Sequence, residues 1–220
     1  ATRMALAHLN IRPEQARVVV QGFGNVGSHA ARLLAGIGCR IVAASDSSGG
    51  IYSPEGLDVE ALRAFKQAGG ALVEYKGGDP LSNEELLELT CDVLVPAAME
   101  SQLTRRNAQL VKARLVVEGA NGPTTLEADL IFQDRGILVV PDILANAGGV
   151  VVSYLEWVQD RQRFFWAVKE VNDQLDRLME HTFAEVMDAA DQGGATMRAA
   201  AMFLAVGRVV DTIRARGIYP

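Results

Sequence analysis

Short apolar runs alternate with stretches of helical periodicity along the first 150 residues. Arg17 to Gln21 (RVVVQ) is an apolar run bounded by Pro13 and Gly22, as expected of a buried parallel strand. Val26, Ala30, Leu33, Leu34 and Ile37 then recur at helical spacing until Gly38, and Arg40 to Ala44 reads as a second strand. Strand, helix and strand of these lengths make a βαβ unit. The alternation continues with a helix at Asp58 to Ala68, closed by Gly69-Gly70, and another N-capped by Ser82. Glu85 stands at the capping-box position, and Leu81 and Leu86 stand where a hydrophobic staple places them. Further strands are read at Asp92 to Val95, Arg114 to Glu118 and Ile137 to Val140, each preceded by helix-like sequence. Ala1 to Leu9 reads as the tail of a helix.

The pattern changes after Val150, where no further strand is read. Val171, Leu175, Leu178, Met179, Thr182, Phe183 and Val186 form one long amphipathic stripe. Gln192-Gly193-Gly194 interrupts it, and Met202, Val206, Val209 and Ile213 begin another. The division expected is an α/β domain over 1–150 and a helical segment over 151–220.

Composition narrows the function classes. Of 220 residues, 49% are hydrophobic and 22% charged, as in a globular protein with a real core. A formal charge of −6 makes a nucleic-acid partner unexpected, since such proteins neutralise phosphates with a basic face. Cys39 and Cys91 lack metal-ligand spacing, and His8, His29 and His181 lie far from them in sequence, so two reduced thiols and no metal are expected. The most apolar stretch, Gly136 to Tyr154, contains Asp142, Asn146 and two adjacent glycines, which argues against a membrane span. Ala1 to Asn10 lack the layout of a signal peptide, and a cytoplasmic setting is expected.

Candidate chemistry begins at Gly22-Phe23-Gly24-Asn25-Val26-Gly27, a GxGxxG directly after a strand and opening a helix. The first glycine makes a tight turn, the second lets backbone approach a pyrophosphate, and the third lets the helix pack close to the sheet. The helix N-terminus offers free amides and a positive dipole end to the phosphates. Asp46 ends the second strand, 19 residues beyond Gly27, where an acid accepts from the adenosine ribose hydroxyls and favours NAD. Ser47 and Ser48 beside it leave NADP open if a basic side chain swings in. The context predicts a Rossmann-like doubly wound α/β fold: a mostly parallel sheet with helices on both faces, followed by C-terminal helices.

Several longer blocks carry a more specific signal. They are Ser45-Asp46-Ser47, Val95-Pro96-Ala97-Ala98, Glu118-Gly119-Ala120-Asn121-Gly122-Pro123-Thr124-Thr125, the run Pro141 to Val150, and Ser153 to Gln159. In content and order, over nearly the whole chain, they resemble the cofactor domain of the glutamate dehydrogenase family within the Glu/Leu/Phe/Val dehydrogenase superfamily. The ANGPTT stretch differs from that usual in leucine and phenylalanine dehydrogenases and favours glutamate. Val151 and Leu155 depart from the threonine and aromatic residue that many relatives have.

The resemblance implies roles for individual positions. Gly22, Gly24, Asn25, Val26 and Gly27 would hold the pyrophosphate, and Asp46 and Ser47 the adenosine ribose. Ala97 and Ala98 would line the cleft, and Asn121 and Asn146 would bond the nicotinamide ribose or carboxamide. Val150 and Ser153, three apart and so on one helix face, would reach the substrate, with the Ser153 hydroxyl on the glutamate side-chain carboxylate. The implied reaction is NAD(P)-dependent oxidative deamination of L-glutamate to 2-oxoglutarate and ammonia, in a homo-oligomer (a hexamer in the family). The family's catalytic lysine and aspartate belong to a domain ahead of the glycine motif, so no catalytic residue is assigned here. Lys66, Lys76, Lys112 and Lys169 read as solvated charges. The 220 residues alone are expected to bind dinucleotide, to turn over no glutamate, and to self-associate through the exposed stripe of the last helix. A regulatory subunit built on the same fold, or a dehydrogenase for another amino acid, are the alternatives.

Overall fold

The computed structural model describes residues 1–217, which fall into two compact units, Thr2–Asp142 and the residues from Ile143 onward. The division lies somewhat before residue 150, the boundary read from the sequence.

In the first unit a seven-stranded sheet runs in the order β4-β3-β2-β1-β5-β6-β7. The strands are β1 (Arg17–Gln21), β2 (Arg40–Asp46), β3 (Gly49–Tyr52), β4 (Asp79–Leu81), β5 (Val93–Pro96), β6 (Leu115–Val117) and β7 (Leu138–Val140). The strands from β2 through β1, β5 and β6 to β7 are parallel neighbours, while β3 pairs antiparallel with both β2 and β4. The five parallel strands are those read from the sequence. Strands β3 and β4 were not anticipated: one opens on two glycines and the other contains Pro80, which tolerates a strand only at a sheet edge, where β4 lies.

The helices of this unit are α1 (Thr2–His8), α2 (Asn25–Gly36), α3 (Val59–Gln67), α4 (Asn83–Leu87) and α5 (Leu126–Asp134). The cap read at Ser82 is present: it accepts from the Glu85 amide and closes the capping box with that residue, and Asp58 and Thr125 act as further caps, accepting from the amides of Ala61 and Ala128. No helix precedes β6, contrary to the alternation expected there: residues 105–110 form successive turns. The Asn107 side chain accepts from the Thr104 amide at 2.8 Å and donates to the Gln102 carbonyl at 2.8 Å, giving the backbone a local alternative to a helix.

One buried cluster joins Val19, Leu94 and Val116 of the central strands to Leu86 of α4 and Ala128 and Phe132 of α5. Helix α2 packs on Val20, whose side chain points the other way along β1. Cys39 and Cys91 are free and buried. Burial, then Glu14, pushes the Cys39 thiol up to about 11, and burial, then Asp92, pushes Cys91 up to about 12, against Arg17.

The second unit is helical: α6 (Asp142–Ala145, its first residue shared with the sheet unit), α7 (Gly148–Gln162), α8 (Val168–Gly193) and α9 (Met197–Arg216). Gly194 in the left-handed conformation ends α8, and Thr196 caps α9 through the Ala199 amide. Phe183, Val186, Met187 and Ala190 of α8 are buried, in line with the stripe read there, although Leu178 is exposed. On α9 the buried residues are Met197, Ala200 and Ala201, and Met202, Val206, Val209 and Ile213 are exposed. Glu185 of α8 and Arg208 of α9 form a 2.7 Å ion pair. Among the described residues no helix is long and apolar enough to cross a membrane, and no cluster of His, Cys, Asp or Glu could hold a metal ion.

Phe132 is fully buried in the main cluster. Phe132→Ala should destabilise the protein by about 3–5 kcal/mol, read as a shift of the urea unfolding midpoint at unchanged slope.

Candidate functional site

The strand order places the chain's change of direction between β1 and β5. From β1 the sheet grows to β2, β3 and β4 on one side, then from β5 to β7 on the other. Open α/β sheets bind ligands outside the carboxyl ends of strands at such a point, and the glycine motif lies there, directly after β1.

The three glycines stand in different surroundings. Gly22 has φ +87, and a β-carbon on it would stand 2.7 Å from the Ala98 backbone. At Gly27 a β-carbon would meet the Gly22 carbonyl oxygen at 1.7 Å and Val20 Cγ1 at 3.2 Å. Those two glycines are required by the protein's own packing. Gly24 is different: its φ is −81, and a β-carbon there would meet nothing within 4 Å. No contact among the described residues explains a glycine at 24, whereas a diphosphate brought against the backbone would.

Gly24 is also the N-cap of α2, with no side-chain cap and no acidic residue in the first turn. The contrast with α3, α4, α5 and α9, all capped by side chains, is informative. The first-turn amides of α2 lack an internal partner and carry the positive end of the helix dipole, as an anion site requires. Asn25 and Val26 in that turn are exposed.

Two loops converge on this turn. The Gln21 carbonyl accepts from the Ala97 amide at 2.8 Å, and the Pro96 carbonyl accepts from Gly119 at 3.1 Å and Ala120 at 3.0 Å. A β-carbon on Gly119 would lie 3.1 Å from Ala97 Cβ and 3.4 Å from Val26 Cγ1. So the glycine motif, Ala97-Ala98 and the segment leading to Asn121 meet at the ends of β1, β5 and β6. Beyond them Glu118, fully buried, accepts from the Asp142 amide at 2.7 Å, while Asp142 Oδ2 accepts from Gly122 at 2.8 Å. These two acids hold the Asn121 loop to the segment after β7, a role the sequence reading did not assign.

Asp46 closes β2. Its Oδ1 accepts from the Ser48 amide at 2.8 Å and the Ser48 hydroxyl at 2.5 Å; its Oδ2 accepts from the Leu72 amide at 3.2 Å and from the Lys66 ammonium. Burial alone would raise this carboxyl, but Lys66, Ser48 and Leu72 together hold it at about 2. Asn83 donates to the Asp46 carbonyl at 3.0 Å. Ser47, next in the chain, is exposed. Lys66 is therefore not the plainly solvated charge read from the sequence but the partner of Asp46. With Arg63 and His29 it also borders a cavity of about 270 Å³ that reaches Gly24 and Asn25.

The remaining candidates lie in the second unit. Asn146 precedes α7, and Val150 and Ser153 sit in its first turns, both exposed. Like α2, α7 has no side-chain cap and no first-turn acid.

The family model for glutamate/leucine/phenylalanine/valine dehydrogenases matches residues 1–217. A glutamate dehydrogenase of Thermotoga maritima is 54% identical over 99% of this chain, and an NADP-specific glutamate dehydrogenase of Halobacterium salinarum is 48% identical over 100% of it. The match covers 52% and 53% of those proteins, so the chain spans about half the length of the curated relatives it matches. Among solved structures, the hetero-hexameric glutamate dehydrogenase of Thermus thermophilus in its Leu-bound form superposes with a TM-score of 0.93 at 39% identity, over 100% of this chain and 52% of that one. The seven-stranded sheet, the loops converging on its glycine turn and these matches lead to one conclusion: the chain belongs to the glutamate/leucine/phenylalanine/valine dehydrogenase family.

Proposed function

We propose that these residues are the dinucleotide-binding part of an NAD(P)-dependent glutamate dehydrogenase, which oxidatively deaminates L-glutamate to 2-oxoglutarate and ammonia. The observation that carries the reading is Gly24: a glycine with open space where its β-carbon would be, at the uncapped start of α2 and the switch point of the sheet. The diphosphate bridge lies on the amides of residues 24–27, and the nicotinamide half runs toward Ala97, Ala98 and Asn121. The bound dinucleotide supplies the hydride acceptor; this chain's residues grip and orient it. Val150 and Ser153 share one face at the uncapped start of α7, where the helix dipole favours a substrate carboxylate. The parent protein acts as an oligomer.

NAD is the preferred cofactor and NADP is accepted. The Asp46 carboxylate accepts from ribose hydroxyls in place of Ser48 and repels a 2′-phosphate. Lys66, already at its side, supplies the cation such a phosphate needs. The Halobacterium salinarum relative, NADP-specific by name, is consistent with this balance being adjustable within the family.

The base chemistry comes from outside these residues. Lys169, for one, is raised by its hydrogen bond to Asp173, the direction opposite to that of a lysine serving as a base near neutral pH.

Three outcomes test this reading. In calorimetric titrations of the purified chain NAD should bind more tightly than NADP. Asp46→Ser should weaken NAD by about tenfold and reverse the preference; no heat with either dinucleotide would overturn the assignment. The isolated chain should form no NADH from glutamate and NAD, and measurable turnover would refute the division of labour. Asp46 also contributes to stability. A carboxyl lowered from 3.8 to about 2 on folding stabilises fully above pH 4 and loses that contribution as pH falls toward 2. Asp46→Asn should therefore cost about 2 kcal/mol near pH 7, with the difference from wild type closing between pH 4 and 2 in parallel urea melts.

A further inference from the structure

Gln21 is the last residue of β1 and only 2% exposed, on the face of the sheet that also carries Val19. Its amide nitrogen donates to Gln102 Oε1 at 2.8 Å, while its own Oε1 accepts from no group among the described residues. A buried amide satisfied at one end is a poor filler: an unmade bond costs about 1–3 kcal/mol, and an apolar side chain of similar shape would avoid that cost. Its position suggests what the polar pair does.

Gln102 is where two site loops are sewn together. Its main-chain amide and that of Leu103 both donate to the Pro123 carbonyl at 2.8 Å, and the Ser101 amide donates to Gly122 at 2.8 Å. Leu103 and Thr124 form a parallel bridge, and the Gln102 side-chain nitrogen turns back to the Glu100 carbonyl at 3.1 Å. The segment after Ala97-Ala98 is thereby zipped to the segment after Asn121. Among the described residues the zipped pair has one side-chain tie to the strand that ends in the glycine turn, the hydrogen bond from Gln21.

We propose that Gln21 and Gln102 are positioning residues for the nicotinamide half of the dinucleotide. Their bond sets the distance between the turn that holds the diphosphate and the joined loops bearing Ala97, Ala98 and Asn121. The inference rests on the dinucleotide-binding reading above. It assigns no contact with the cofactor to either glutamine. The adenosine half, at the end of β2 with Asp46 and Lys66, lies on the other side of β1 and is indifferent to the tie.

The test compares NADH with ADP, which occupies only the adenosine and diphosphate subsites, on the 220-residue chain. Gln21→Met should leave the melting temperature unchanged or raise it, keep ADP affinity within about twofold, and weaken NADH by about tenfold, seen as loss of the binding-induced NADH fluorescence change. Gln102→Met, at the partly exposed end, should do the same, and the double variant should be no weaker than either single one, because all three break one bond. NADH affinity within about twofold of wild type in both single variants, equal weakening of ADP and NADH, or additive losses in the double variant would each overturn the proposal. Failure of wild type to bind either nucleotide would instead remove the dinucleotide reading, and this inference with it.

Discussion

The constraint on which the rest of this structure depends is steric: backbone must touch backbone after β1. The Gly22 α-carbon lies against the Ala98 main chain, and Gly27 lies against the carbonyl of Gly22. Those approaches bring α2 down onto β1 and bring the loops after β5 and β6 to the same spot. A methyl group at either position would need space that backbone atoms already fill, and backbone cannot rotate away as a side chain can. The middle glycine spends the same freedom differently, facing open space at the uncapped start of α2.

Electrostatics then separates the ends of the site. At the start of α2 the chain supplies partial positive charge from amides alone, with no lysine or arginine in the first turn. At the end of β2 it places a full negative and a full positive charge side by side, with Ser48 and Leu72 completing the carboxylate's bonds. The first arrangement suits a group that every dinucleotide shares, and the second suits the group by which dinucleotides differ. At the other end, buried Glu118 and half-buried Asp142 carry structural hydrogen bonds that shape the Asn121 loop.

The legible parts of the molecule are those whose cause is local. The five parallel strands are runs of consecutive apolar residues, because both faces of a central strand are covered. The cap at Ser82 is a chemical signal three residues from the amide it binds. Strands β3 and β4 were illegible because glycines and a proline depress strand propensity and only pairing with β2 recruits them. The Asp46–Lys66 pair was illegible because twenty residues separate its members and Lys66 follows an ordinary amphipathic pattern on α3. Gln21 reads only as the last residue of the first strand, and its partner is 81 residues away.

The edge made by β4 has a consequence for how copies of the molecule can meet. Pro80 offers no amide hydrogen there and Asp79 adds charge, on a strand of only three residues. A neighbouring chain seeking to extend the sheet finds an incomplete ladder on that border. Along that border edge-to-edge ribbon growth, a route toward fibrils, is therefore disfavoured.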